Sequence, residues 1–178
     1  MNRFVILSGC SGGGKSTLLA ELSRLGHAII EEPGRRIVAE EQASGGSALP
    51  WLDMPAFARW AIDMALSDRK RARHAEGWVF FDRSLIDAAA ALAHASGEET
   101  VLDLCRQHPY HETVFLTPPW PELYAPDAER RHGLEAAIAE YQRLAALFPR
   151  LGYQTVLLPK VSVKERAAMI LARLGRAP

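Results

Sequence analysis

The sequence predicts a three-layer α/β domain built around a five-stranded parallel sheet. Three observations lead there: short apolar runs rich in β-branched and aromatic residues, helical periodicity between them, and no polar alternation inside the runs. The runs are FVILS (4–8), HAIIE (27–31), WVFFD (78–82), TVFLT (113–117) and YQTVLL (153–158). Strands of this composition are expected to be covered on both faces, as helices flanking a parallel sheet would do.

The connecting helices have a readable phase. Phe57, Ala61, Met64 and Ala65 form one apolar stripe, and Leu134, Ile138, Tyr141, Ala145 and Phe148 form a second. Val163, Ala167, Ile170, Leu171 and Leu174 form a third, opened by Ser162 with Glu165 three residues on, a capping-box signature. Gly26, Gly77 and Gly152 stand between helices and the strands that follow, where a left-handed C-cap is useful. Two stretches are less regular, ASGGSALPWLDMP (43–55) and TPPWPELYAPDAERRHG (117–133). Compact domains rarely keep such long connections without a use, so both are candidate substrate or lid segments, the lid falling at about 118–133. No repeat or linker interrupts residues 1–178, which read as a single domain.

Composition narrows the function classes. Lys plus Arg and Asp plus Glu both number 21, and this zero net charge argues against a nucleic-acid or anionic-membrane binder. The N-terminus enters an apolar run at once, without signal-peptide architecture, and no run is long enough to span a bilayer. Of the two cysteines, Cys10 lies inside a glycine-rich turn, which favours a reducing, cytoplasmic setting over a structural disulfide with Cys105.

That turn carries the strongest signal. GCSGGGKST (9–17) satisfies G-x-x-x-x-G-K-[ST] between a strand and a helix. Gly9, Gly12, Gly13 and Gly14 let the backbone turn so that its amides, with those of Ser11 and Thr17, converge on phosphate oxygens. Lys15 would neutralise the β and γ phosphates, and the Ser16 hydroxyl would join a Mg²⁺ shell. The cofactors implied are ATP and Mg²⁺.

Two further clusters fall at strand ends, where open parallel sheets place ligands. FFDRS (80–84) offers Asp82 as a Walker-B acid for Mg²⁺, Arg83 for a phosphate or acceptor, and Ser84 as a helix cap. IIEEPGRR (29–36) offers Glu32, held at the strand end by Pro33, as the base for an attacking hydroxyl. Glu31 beside it can exchange roles with Glu32, one acid pairing with Arg35 or Arg36.

GCSGGGKST, EEPGRR and FFDRSLID together resemble the P-loop kinase superfamily, particularly its deoxynucleoside and thymidylate kinase branch. By that resemblance Glu32 matches the catalytic base and Arg83 the substrate- and phosphate-binding arginine. Over nearly the whole chain the sequence is similar to small bacterial AAA-type predicted ATPases. These resemble the ribosylnicotinamide kinase domain of bacterial NAD-biosynthesis regulators. The shared segments here are Asp82-Arg83-Ser84-Leu85-Ile86-Asp87 and Leu158-Pro159 through Ser162, Glu165 and Arg166. Where deoxynucleoside kinases carry an aromatic after the Glu-Pro, this chain has Gly34, Arg35 and Arg36. The double arginine better suits an acceptor that already carries a phosphate or carboxylate. The resemblance also implies a lid delivering arginines to the transferred phosphoryl, a place taken here by Arg130 and Arg131. His132 and the other histidines show no metal-ligand spacing.

Three functions compete. A kinase would set ATP on residues 9–17 and an unidentified small acceptor over Glu32, Arg35, Arg36 and Arg83. An ATPase or GTPase switch is the runner-up, less favoured because Arg83, not a water-activating glutamate, follows Asp82, and Pro159-Lys160-Val161-Ser162 is no guanine reader. A nucleotide-sensing module with little turnover is the third.

Overall fold

The computed structural model describes residues 2–123 and 133–176. Its strands are β1 (Phe4–Gly9), β2 (Ala28–Ile30), β3 (Val79–Asp82), β4 (Thr113–Thr117) and β5 (Gln154–Leu157). The helices are α1 (Lys15–Arg24), α2 (Pro33–Ser44), α3 (Met54–Ala72), α4 (Leu85–Ser96), α5 (Leu102–Gln107), α6 (Leu134–Arg150) and α7 (Val163–Leu174). The five strands form one sheet in the order β2-β3-β1-β4-β5, with every neighbouring pair parallel.

Alternation along β1 builds the three layers. Phe4 and Ile6 face the core formed with α3, α4 and α6, which includes Ala58, Ile62, Leu85, Leu92, Leu144 and Phe148. Val5 and Leu7 face the opposite core, formed with Leu18 and Leu22 of α1 and Ala167, Ile170 and Leu174 of α7. Both faces of β1, β3 and β4 are buried throughout. The expectation of two covered faces fails at the sheet's edges: β2 is half-buried, and Gln154, Thr155 and Leu157 of β5 are exposed. An apolar run identifies a strand but not its rank in the sheet, and the two outermost strands have too few neighbours to be covered fully.

The local signals hold. Gly26, Gly77 and Gly152 adopt φ of 90, 67 and 89°. Ser162 and Glu165 close a reciprocal capping box at the start of α7. Ser84 caps α4 by accepting from the Ile86 amide at 3.1 Å. No helix among the described residues is long and apolar enough to cross a membrane.

Register sets the site. Leu7 pairs with Asp82, Gly9 with Thr117, and Ile30 with Phe81, so β1 to β4 end together at one edge. Glu32, Asp82, Arg83, Thr117 and the turn after Gly9 are therefore neighbours there, at the carboxyl edge where parallel sheets bind ligands.

Candidate functional site

The turn after β1 is shaped by its glycines and by Thr117. Gly9 has φ 119°, and a Cβ there would collide with the Thr117 carbonyl and stand 2.6 Å from Thr117 N. Gly13 is pressed against the same strand end, 2.7 Å from Thr117 Oγ1 to a virtual Cβ. The Cys10 amide donates to Thr117 O at 2.9 Å, anchoring the loop. Gly12 and Gly14 are left-handed, at φ 80 and 78°, and Gly14 caps α1. Helix α1 thus begins with first-turn amides that have no acceptor of their own, behind a ring of converging backbone. Lys15 is buried, and its Nζ donates to Cys10 O at 3.0 Å. Burial and the nearby Arg83 lower its pKa, opposed by Asp82, Glu32 and Glu140. Ser16 and Thr17 are exposed on the first turn of α1, and Ser11 is half-buried.

Across the edge stands a knot of charge centred on Arg83. Its backbone is left-handed, φ 62°, the one such non-glycine among the described residues. Backbone of this kind persists when the surroundings over-determine it. The Arg83 amide donates to Leu7 O at 2.9 Å, and its guanidinium meets three carboxylates. Nη1 and Nη2 fork onto Glu140 of α6 at 2.8 and 3.3 Å. Nη1 is 3.6 Å from Asp87 Oδ1. Nε is 3.0 Å from Glu32 Oε1 but does not point at it, so that contact is an ion pair without a hydrogen bond. Burial lowers the Arg83 pKa, but Glu140, Glu32, Asp87 and Asp82 together drive it above its usual value.

The two strand-end acids are pushed apart. Burial raises the Glu32 carboxyl, yet Arg83, Lys15 and Arg35 outweigh it and hold its pKa below the usual range. Arg35 Nε is 3.3 Å from Glu32 Oε2. Asp82, 6% exposed, is raised to about 6 by burial and by the charge on Glu32. Its Oδ1 is buried without a hydrogen-bond partner. An orphaned anionic oxygen beside a phosphate-binding turn fits a divalent cation, which would supply the missing partner and bring the pKa down.

A cavity of about 400 Å³ opens between this knot and the helices. Ser11 lies at its phosphate-loop side, with Glu32, Arg35, Arg83, Asp87 and Glu140 at the polar end. Trp51, Met54, Phe57, Ala88 and Leu144 supply its apolar wall. Pro50 and Trp51 belong to the 43–55 segment, which therefore contributes to the cavity lining.

Of the expected site residues, Glu32, Arg35 and Arg83 line the cavity, while Lys15 and Asp82 interact electrostatically with them at the sheet edge without lining it. The structure does not bring Arg36 there. Arg36 Nη1 instead pairs at 2.8 Å with Asp68, a carboxylate on α3 only 1% exposed, which Arg71 also contacts. One helical step of about 100° separates Arg36 from Arg35, and the buried Asp68 needs a cation. Glu31 is exposed, whereas Glu32 is half-buried and lines the cavity. Arg130, Arg131 and His132 lie outside the described residues.

Glu140 and the positions of Asp87 and Arg166 add to the sequence reading. Asp87 accepts from Ser84 Oγ at 2.6 Å and from Ser8 Oγ, and burial raises its pKa. Arg166 of α7 donates from Nη1 to Gly13 O at 3.2 Å.

Comparison with known proteins bears on this geometry. A family model described as an AAA domain matches residues 4–166. The chain belongs to that family. No curated protein matches it. Among solved structures, deoxyadenosine kinase from M. mycoides with products dCMP and dCDP shares the fold of this AAA domain. Its TM-score is 0.68 at 16% identity, over 96% of this chain and 98% of the other. The same enzyme with dATP gives a TM-score of 0.66 at 18% identity, over 97% and 98%. The NadR protein in complex with NR gives 0.76 at 16% identity, covering 97% of this chain but 50% of NadR. The chain thus shares its fold with deoxyadenosine kinase and with half of NadR, the three-layer parallel α/β fold that the sequence predicts.

Proposed function

We propose that the chain is an ATP-dependent kinase of a small, hydroxyl-bearing acceptor. The observation behind this reading is the place of Glu32. Its ionised carboxylate lines the cavity, to which Ser11 of the phosphate turn also contributes. A hydroxyl lying in the cavity can hydrogen-bond to Glu32 while facing a γ-phosphate on residues 9–17, the alignment that in-line transfer requires. Lys15 would draw away from Cys10 O to meet the β and γ phosphates. Arg83 orients Glu32, and Arg130 and Arg131 would supply further positive charge from the lid. Ser16 and, through water, Asp82 would hold Mg²⁺, which neutralises phosphate charge when bound.

The charge inventory also informs the acceptor. Arg83 is surrounded by carboxylates, Arg35 contacts Glu32, and Arg36 is turned to Asp68. A phosphate already on the acceptor would have to displace these acids. We therefore favour an acceptor without a phosphate, with hydroxyls at the polar end and an apolar or aromatic part against Trp51, Met54 and Phe57. This revises the role suggested by the arginine pair. Nucleosides, and NR as bound by NadR, are the compounds to test first.

The deciding assay supplies Mg²⁺ and ATP with a panel of nucleosides, ribosylnicotinamide and their monophosphates, and reads phosphorylated product and ADP. The kinase reading expects product from an unphosphorylated acceptor. Phosphate release that no acceptor accelerates would instead support the ATPase alternative.

A further inference from the structure

Helix α7 touches the phosphate turn through one side chain. Arg166, at the end of its first turn, is 3% exposed. Besides donating to Gly13 O, its guanidinium lies flat against Gly14, where a Cβ would stand 3.1 Å from Nη2 and 3.3 Å from Nη1. The Trp120 ring covers it, with the guanidinium carbon 5.4 Å from the ring centroid. Nε is buried without a partner, so the side chain keeps this pose although it leaves a donor unsatisfied. Arg166 has no contact with the acceptor cavity.

The peptide joining Gly13 to Gly14 explains what such a contact does. It is flanked by two residues without side chains, and Gly14 is already left-handed at φ 78°. A peptide between glycines rotates at little steric cost, so sequence alone leaves its orientation open. In a planar trans peptide the carbonyl and the amide point in opposite directions. Fixing the Gly13 carbonyl on the α7 side therefore aims the Gly14 amide at the opposite side, into the cradle where backbone amides meet an anion. On its other flank Gly13 is stopped by Thr117 Oγ1 and Pro118 O, 2.7 and 2.9 Å from a virtual Cβ. The turn is thus held between the end of β4 and α7.

We propose that Arg166 is a positioning residue for the donor triphosphate, acting by holding the Gly13–Gly14 peptide with its amide toward the phosphates. The proposal rests on the reading that a nucleoside triphosphate occupies residues 9–17. Its chemical content is the hydrogen bond to the carbonyl, not the positive charge. Replacements that keep a donor should therefore preserve function better than one that removes it.

The test titrates the wild-type chain and the Arg166→Met, Arg166→Gln and Arg166→Lys variants with Mg-ATP and, separately, with magnesium tripolyphosphate, alongside thermal melts. Losing a hydrogen bond from a charged donor is expected to weaken both ligands by about 10- to 100-fold in Arg166→Met. Arg166→Gln and Arg166→Lys should stay within about threefold of each other and well above Arg166→Met. A folded Arg166→Met variant with wild-type affinity overturns the proposal, even if its Tm is lower, because Arg166 is then only a bolt between α7 and the sheet. Loss in Arg166→Gln with normal binding in Arg166→Lys also overturns it, because charge would then be the agent. Should Arg166→Met fail to fold, that Gln-against-Lys comparison decides alone. A wild-type chain that binds neither ligand removes the kinase reading together with this one, a result distinct from normal wild-type binding with unaffected variants.

Discussion

The guanidinium of Arg83 grips the carboxylate of Glu140 with two parallel contacts, 2.8 and 3.3 Å long. Arg83 follows β3, whereas Glu140 lies in the second turn of α6. The pair therefore joins the carboxyl edge of the sheet to α6. It is one of three ion pairs, with those to Glu32 and Asp87, that surround Arg83 in its left-handed backbone.

Replacing Glu140 with alanine should therefore cost stability as well as activity. Arg83 would keep Glu32 and Asp87 but lose its shortest contact. With the Glu140 side chain 32% exposed, part of the interaction is screened, and we expect a loss of about 1–2 kcal/mol in urea unfolding. Phosphoryl transfer should fall with it, because Arg83 then orients Glu32 less firmly. An unchanged urea midpoint would show that the fork contributes nothing.

Glu32→Gln separates binding from chemistry. The amide retains size and polarity but cannot accept the acceptor's proton, so transfer should fall by about 10²- to 10⁴-fold. ATP affinity should stay within about twofold, since Glu32 faces the acceptor side. Single-turnover product formation, read beside an ATP titration, checks both halves. Full transfer by the variant would remove Glu32 as the base.

Much of this site can be read from the sequence because its chemistry is local. The glycines and Lys15 form one continuous turn, and Glu32-Pro33 and Asp82-Arg83-Ser84 follow strands whose ends a parallel sheet aligns. Glu140 is invisible in the same way that Arg36 is misleading. On the helix around Leu134–Phe148, Glu140 looks like any solvated charge, and only the packing of α6 beside β1 brings it to Arg83. Arg36 stands in a conspicuous pair, but helical rotation and a buried aspartate 32 residues away decide its partner. Likewise Arg166 belongs to a segment noticed by resemblance, yet its contact with Gly13 spans 153 residues and depends on α7 docking beside α1.

Two glycines with similar φ signs should respond very differently to alanine. Gly152 has φ 89° with nothing within 4 Å of a virtual Cβ, so Gly152→Ala should cost only the left-handed penalty, about 1–2 kcal/mol. Gly9 combines φ 119° with a clash against the backbone of Thr117, which cannot move without disturbing β4. Gly9→Ala should cost about 3 kcal/mol or more and abolish ATP binding. Denaturant titration of the two variants gives the comparison, and equal losses would refute the claimed close approach of β1 and β4.

Asp82 makes the sign of a pH effect testable. Its pKa rises from 3.8 to about 6 in the folded chain, so the native state holds this proton more tightly than the unfolded state. Stability from this group is therefore greatest below pH 4, declines as pH rises from about 4 to about 6, and stays reduced above that. The shift corresponds to roughly 3 kcal/mol. Without metal, Asp82→Asn should accordingly be more stable than wild type at pH 8, with the gap closing as pH falls through 6 towards 4. Millimolar Mg²⁺ with ATP should narrow the gap at pH 8 by stabilising the wild type more than the variant, because the carboxylate gains from the cation in addition to the phosphate contacts that both chains keep. Melts of both chains across pH 4–8, in EDTA and in Mg-ATP, measure this directly. A wild-type chain whose stability rises between pH 4 and 6 relative to Asp82→Asn would mean that Asp82 is stabilised as an anion by its neighbours, not strained by burial.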